Sequence, residues 1–167
     1  DSTRAQPEKA DIFRISGKNL FYANSSGMRF QMINLLDPAK PVLLASIPMQ
    51  ETPRELFLVG EYAFLIGSAY VAEGASTVLR VYRMNDTLQE VQSVNLDQLA
   101  YVTSRRLGNR IYLVGMTTSG SESCCEWRGP GQAAVYVLDI TSPEQTSVIT
   151  RATAGSTTNQ PCPSASR

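Results

Sequence analysis

The sequence predicts an all-β fold in which one four-stranded antiparallel unit is repeated about three times. A turn with glycine recurs at Gly17, Gly60 and Gly108, and an aromatic and aliphatic segment follows each of them. The intervals between these glycines fall in the span of about 40–50 residues that one propeller blade occupies. Segments with a period of two residues recur, whereas long helical periodicity is absent. We therefore expect a partial β-propeller of about three four-stranded antiparallel blades.

Each unit contains four predicted strands, one before the glycine and three after it. The turns after the third strands use Asn, Asp, Ser and Pro, which preset φ or bond to the local backbone. One turn of helix is expected near Leu96–Leu99. The first and innermost strands are predicted at Asp11–Ile15, Arg54–Leu58 and Val102–Arg106, the third at Met28–Leu35, Val78–Met84 and Ala134–Ile140, and the fourth at Pro41–Ile47, Leu88–Val94 and Gln145–Ile149.

The repeat also predicts the organisation of the chain. The three blades are expected at about residues 8–50, 51–99 and 100–150. Residues 117–132 break the repeat as a long insertion between the second and third strands of the third unit. Residues 151–167 are rich in Ser, Thr, Ala and Pro and have no apolar face to bury, so a polar tail is predicted.

Composition excludes several classes of function. Fifteen basic and fifteen acidic residues cancel, so no field of one sign attracts nucleic acid. The chain contains no histidine, which removes Ser-His-Asp and Cys-His nucleophilic systems. No apolar run approaches the roughly 20 residues that a membrane-spanning helix needs. We expect no cofactor, no metal site and no membrane span.

The three cysteines, Cys124, Cys125 and Cys162, lie in the insertion and the tail. The adjacent pair lacks the Cys-x-x-Cys spacing of a zinc site. In an exported chain we expect one of the two to form a disulfide with Cys162, which fastens the tail to the insertion. The choice between Cys124 and Cys125 stays open, as does a disulfide between those two.

Several sequence segments resemble the blade segments of secreted bacterial and archaeal β-propeller proteins, which are related to propellers built from LVIVD-like repeats. The matching segments are Glu8–Ile12, Pro53–Gly60, and Tyr101–Gly108 with Ile111–Val114. The resemblance spans about residues 8–150. It implies four-stranded blades, no common chemistry, and a location outside the cytoplasm: secreted, periplasmic or on the cell surface.

This chain departs from the resemblance in its number of blades. Such propellers are expected to close with more blades than three, and a closed ring protects the edges of its sheets. Three explanations are open. The chain is a fragment of a longer polypeptide, or another chain supplies the missing blades, or the insertion and the tail cover the open edges.

Charged residues mark the predicted innermost strands. Asp11 and Arg54 occupy equivalent positions when the units are aligned on their glycines, and Glu55 lies one step further and faces the other way. We expect these strands to line a wet central channel, where acidic side chains pair with Arg54 or with Arg14 or Arg105.

The insertion carries a second candidate site. Trp127 and Arg128 are adjacent there, and Trp and Arg are over-represented among the residues that dominate protein interfaces. Two interpretations carry equal weight: the pair binds a partner, or the indole covers the open edge of the third blade.

These observations favour a non-catalytic extracellular or cell-surface propeller module that acts as a binding or assembly scaffold. Its expected partners are a protein, further blades that cover the open edges, or a polysaccharide, and no catalytic residue is assigned. The alternative is a fragment of a carbohydrate-active enzyme. A two-carboxylate glycosidase needs no histidine, so Asp11, Glu55 and Glu61 are its candidate carboxylates.

Overall fold

The computed structural model describes residues 8–9, 12–71, 74–117 and 131–154. Within these residues the chain forms thirteen strands and one short 3₁₀ turn, Pro143–Gln145. The strands are β1 (Glu8–Lys9), β2 (Phe13–Ser16), β3 (Asn19–Asn24), β4 (Arg29–Asn34), β5 (Val42–Pro48), β6 (Thr52–Val59), β7 (Tyr62–Val71), β8 (Gly74–Met84), β9 (Leu88–Leu96), β10 (Leu99–Leu107), β11 (Arg110–Thr117), β12 (Ala133–Asp139) and β13 (Ser147–Ala154).

The strands form three antiparallel sheets, and each sheet uses four consecutive strands. Sheet 1 contains β2 to β5, sheet 2 contains β6 to β9, and sheet 3 contains β10 to β13. Strand β1 adds a short fifth strand to sheet 3, antiparallel to β10. The prediction of an all-β fold with three four-stranded antiparallel units is confirmed.

The three glycines that defined the repeat adopt one backbone conformation. Gly17, Gly60 and Gly108 all have φ +57°, which favours glycine. Each begins a two-residue turn between the first and second strands of its sheet. In every sheet, the carbonyl of the second turn residue accepts a backbone hydrogen bond from the end of the third strand. The donor is the last residue of that strand in sheet 2 and the residue just after it in sheets 1 and 3. These donor and acceptor pairs are Leu35 and Lys18 (2.7 Å), Met84 and Glu61 (2.7 Å), and Ile140 and Asn109 (3.0 Å).

Bulges recur at matching places in the sheets. The fourth strand of each sheet has one extra residue, namely Leu44, Val91 or Ile149. The first strands of sheets 2 and 3 have bulges at Arg54 and Val102. A bulge bends its strand and increases the local twist. The three sheets are therefore copies of one unit in backbone detail.

Sheet 2 packs between the other two sheets. Along β7, Ala63 and Leu65 belong to the cluster shared with sheet 1, whereas Phe64 and Ile66 belong to the cluster shared with sheet 3. This alternation follows from the period of two in a strand. The buried residues between sheets 1 and 2 are Phe21, Ala23, Phe30, Met32, Met49, Leu56, Ala63, Leu65, Tyr82 and Leu88; those between sheets 2 and 3 are Phe57, Phe64, Ile66, Leu79, Val81, Leu96, Leu99, Ile111, Leu113, Ala134, Tyr136, Leu138 and Ile140.

Two local predictions were wrong. The helical turn expected near Leu96–Leu99 is a two-residue turn, Asp97 and Gln98, with Gln98 at φ +55°. This tight turn lets Leu96 and Leu99 enter the same buried cluster from adjacent sheets. Strand β13 extends to Ala154, into the segment predicted as a polar tail, because its backbone continues to pair with β12. Backbone pairing requires no apolar side chains.

Candidate functional site

The first strands of sheets 2 and 3 meet at a cluster of three polar side chains. Ser104 on β10 donates a hydrogen bond from Oγ to the Glu55 carboxylate on β6. The Tyr101 hydroxyl donates to Ser104 Oγ at 3.4 Å. Burial, and next the hydrogen bond with Glu55, raise the pKa of Tyr101 above its ordinary value of 10. The phenol therefore stays neutral, and the cluster links the two sheets.

The two arginines predicted for this region bind neutral oxygens. Arg54 donates from Nε to Ser68 Oγ at 3.1 Å. Arg105 donates from Nη1 to Thr103 Oγ1 at 3.0 Å and to the Ser104 carbonyl at 2.6 Å. Each guanidinium is therefore held against its own sheet.

This cluster does not resemble a nucleophilic active site. Ser104 is only 1% exposed and no histidine exists to act as its base. Of the candidate carboxylates, Glu55 accepts the hydrogen bond from Ser104, and Glu61 lies in the turn after β6.

Several predicted site residues lie outside the described residues, so those predictions remain untested. The structure does describe both ends of the insertion: the Thr117 amide donates to the Gln132 carbonyl at 2.8 Å, and the Gln132 amide donates to Thr117 Oγ1 at 3.1 Å. The two described ends of the insertion, Thr117 and Gln132, therefore lie side by side at the edge of sheet 3. The predicted residues outside the described part are Asp11, Cys124, Cys125, Trp127, Arg128 and Cys162.

A charged triad on the face of sheet 2 that packs on sheet 1 was not predicted. Arg80 on β8 binds both carboxylate oxygens of Glu51, with Nε at 2.8 Å from Oε2, and also donates from Nη1 to Glu90 at 2.7 Å. The hydrogen bond with Glu51 is the main cause that raises the pKa of Arg80 above its ordinary value. A Cβ at Gly67 would lie 2.7 Å from that of Glu51, so glycine makes room for the carboxylate.

One signal in the sequence could have indicated this triad. Val78, Arg80 and Tyr82 alternate along β8, so they share the face of sheet 2 that packs on sheet 1. A charged residue at an inward position requires a partner of opposite charge, because burial of an unpaired charge is costly. The partner Glu51 is only 8% exposed and lies in the link between β5 and β6, where no repeat pattern identifies it.

Neutral groups and one exposed ion pair join sheets 2 and 3 near their fourth strands. The side-chain amide of Gln92 donates to the Thr146 carbonyl at 2.8 Å and accepts from the Thr146 amide at 2.7 Å. Nearby, Glu144 forms an ion pair with Arg83 and accepts a hydrogen bond from the Tyr62 hydroxyl at 2.9 Å. Both links connect the end of sheet 3 to sheet 2.

All three sheets have the same orientation, which defines two kinds of face. The third residue after each turn glycine is Leu20, Ala63 or Ile111; Ala63 faces sheet 1 and Ile111 faces sheet 2. We call the face with this residue the leading face and the opposite one the trailing face. Each internal contact thus joins a trailing face to the leading face of the next sheet.

The leading face of sheet 1 carries exposed apolar side chains that no described residue covers. Ile15, Leu20, Ile33 and Leu43 form one cross-strand row with a residue from each of the four strands. Ile15 is 62% exposed and Leu43 is 54% exposed, and Phe13 beside this row is 47% exposed. Residues on the equivalent faces of sheets 2 and 3 are buried, so this face lacks the cover that the repeat elsewhere provides.

The trailing face of sheet 3 carries apolar side chains beside polar ones. One cross-strand row contains Thr103, Val114, Val135 and Ala152, and the adjacent row contains Arg105, Tyr112, Val137 and Thr150. Val135 is 37% exposed and Ala152 is exposed. Within the described residues, the stack of sheets therefore ends at both sides in a face with exposed apolar side chains.

In the described part of the chain, no group of three or more Cys, His, Asp and Glu side chains is arranged to hold a metal ion. No helix within those residues has the length and apolar character needed to cross a membrane. The chain matches no protein-family model, no curated protein and no solved structure. The arrangement of the sheets and the residues on their faces are therefore the basis for inferring its function.

Proposed function

We propose that the three sheets are consecutive blades of a β-propeller that acts outside the cytoplasm as a non-catalytic binding or assembly scaffold. The observation that carries the proposal is the repeated unit with an uncovered apolar face at each end. Exposed apolar patches of this kind are typical of interaction surfaces. The expected partners are further blades, another protein, or a polysaccharide bound by loops at the mouth of the propeller.

The positions of the first strands support the propeller. Strand β2 lies beside β6, and the hydrogen bond between Glu55 and Ser104 joins β6 to β10. Strand β1 directly precedes sheet 1 along the chain but pairs with sheet 3 at β10. The first strands of all three sheets therefore gather on one side of the molecule, as the inner strands of a propeller do. The resemblance to LVIVD-like propellers is part of the same proposal.

A structure with all three sheets at atomic resolution tests the architecture. The mean planes of successive sheets are expected to converge toward one axis beside the first strands. Layers that stay parallel, as in a sandwich, would show that the propeller is wrong.

The polar groups of the first strands support a scaffold rather than an enzyme, because Glu55 and Ser104 are used in a link between sheets. The alternative is a glycosidase that pairs Glu55 with Asp11. Glu55→Gln, Asp11→Asn and the unchanged protein, assayed on a panel of glycans, are expected to show no turnover. Hydrolysis by the unchanged protein, lost in either folded variant, would establish the enzyme instead.

An exported chain is expected to carry the disulfide between Cys162 and one residue of the Cys124 and Cys125 pair. Peptide mapping of the native protein by mass spectrometry, after free thiols are alkylated without reduction, tests this expectation. Three alkylated cysteines would contradict both the disulfide and the oxidising location that it implies.

A further inference from the structure

We propose that the leading face of sheet 1 binds the trailing face of sheet 3 of a second copy of this chain. Two copies would then close a ring of six sheets. This inference rests on the proposed propeller and goes beyond it, because it identifies the partner that covers the open faces.

The first argument is the continuity of the repeat. Trailing faces already pack on leading faces twice within the chain, at the contacts of sheet 1 with sheet 2 and of sheet 2 with sheet 3. The row formed by Ile15, Leu20, Ile33 and Leu43 belongs to a leading face. The surface that fits such a face is thus the trailing face of another sheet of this type.

The second argument is that the chain carries both partners of this contact. The trailing face of sheet 3 presents a cross-strand row that is apolar at Val114, Val135 and Ala152 and has Thr103 as its one polar member. A contact between two different patches of one molecule produces a ring when its rotation closes, and otherwise an open filament. In a closed pair of copies, a twofold axis relates the two new contacts and no apolar face remains uncovered.

The third argument is the number of sheets. Propellers have about four to eight blades around their axis. Two copies of these three sheets supply six sheets, a number within that range. A closed ring made of two copies is therefore compatible with the known sizes of propellers.

Light scattering coupled to size-exclusion chromatography tests the proposal on the full chain. The expected mass is twice the 18.3 kDa of one chain. Ile15→Arg on the leading face and Val135→Arg on the trailing face should each raise the dissociation constant of the pair by about two orders of magnitude, since each buries an unpaired charge. Leu36→Arg is the control, because Leu36 is 76% exposed in the turn after β4 and lies outside both faces.

Circular dichroism should show that both variants remain folded, because Ile15 and Val135 are partly or largely exposed in the single chain. A loss of dimer in a folded variant then reports on the contact between copies. Equal molar amounts of the two folded variants, when mixed, should recover dimer in part. In the mixed dimer, one contact joins two unchanged faces and the other contact carries both charges.

Specific results would overturn the proposal. A monomeric protein, or a dimer that neither variant weakens, shows that a second copy does not cover these faces. Dissociation by Ile15→Arg alone shows that two leading faces pair instead. A native polypeptide whose further residues form the covering sheets also excludes the second copy. In all of these cases the propeller is judged separately, by the convergence of the three sheets of one chain.

Discussion

The two contacts between neighbouring sheets have the same backbone geometry but different polar groups. On the face of sheet 2 that packs on sheet 1, the Arg80 guanidinium is paired with the carboxylates of Glu51 and Glu90. Sheets 2 and 3 enclose a larger apolar cluster, and the Gln92 amide with Thr146 and an exposed ion pair between Arg83 and Glu144 link them beside it. The repeat thus determines how the sheets stack, whereas the side chains of each contact determine how it responds to mutation and pH.

The largest effect is expected in the apolar contact. Phe64→Ala removes a fully buried ring between sheets 2 and 3 and should lower the free energy of unfolding by about 3–5 kcal/mol. Phe13→Ala is the matched control on the open leading face and should cost less than about 1 kcal/mol in the separated chain. Denaturant titrations measure both. Equal losses would mean that the leading face of sheet 1 is covered by the chain itself.

Next in size is the loss of the charged triad. Arg80→Ala leaves Glu51 buried without its partner and should cost about 3 kcal/mol. The matched change Arg83→Ala, in an ion pair whose side chains are both more than a third exposed, should cost less than about 1 kcal/mol. Replacement of the buried pair by apolar residues, as Glu51→Leu with Arg80→Met, should recover most of the loss. A double variant no more stable than Arg80→Ala would contradict this account.

A smaller effect is expected at Gln92. Gln92→Ala leaves the amide and carbonyl of Thr146 without their side-chain partner, and Thr146 is buried. The expected loss is about 1–2 kcal/mol, with faster hydrogen exchange at the Thr146 amide. Gln89→Ala, an exposed residue of the same strand, is the control. Unchanged hydrogen exchange at the Thr146 amide would show that the two hydrogen bonds with Gln92 contribute nothing to stability.

The smallest effects at neutral pH concern two tyrosines, one in each contact. Burial is the main cause that raises the pKa of Tyr82 and Tyr101 above 10. The folded state holds these protons more tightly than the unfolded state, so the resulting stability is complete below pH 10 and is lost as the pH rises from 10 toward the raised values. Tyr82→Phe and Tyr101→Phe should each flatten the fall in stability above pH 10. An unchanged slope in both variants would contradict the shifts.

At neutral pH the two phenylalanine variants should differ. Tyr101→Phe also removes the hydrogen bond to Ser104, so it should cost about 1 kcal/mol near pH 7. Tyr82→Phe keeps the ring contact with Phe30 and is expected to be close to neutral. Unfolding curves at pH 7 make this comparison.

The repeat was predictable from the sequence because its signals are local. Gly17, Gly60 and Gly108 stand at turns that require positive φ, and strands with a period of two flank them. The turn at Asp97 and Gln98 was not predictable in the same way, since Gln98 has positive φ without being glycine. Packing of the adjacent leucines, rather than local preference, determines the conformation there.

The partners of the candidate site residues were less predictable. Glu55 was expected on a first strand and lies there, but its bond to Ser104 depends on how two sheets meet. Glu51 comes from the residue before β6 and Arg80 from β8, and the pairing of these strands through β7 within sheet 2 brings them together. Pairings between separate units of a repeat leave no periodic signal along the chain.

The pairing of β1 with β10 has a consequence for the order of folding. Every other strand pair joins neighbours in sequence, and hairpins of this kind form within microseconds. Strand β1 is separated from β10 by all of sheets 1 and 2. Because closing so long a loop costs entropy before the contact stabilises it, the pairing of β1 with β10 is a later step of folding than the hairpins.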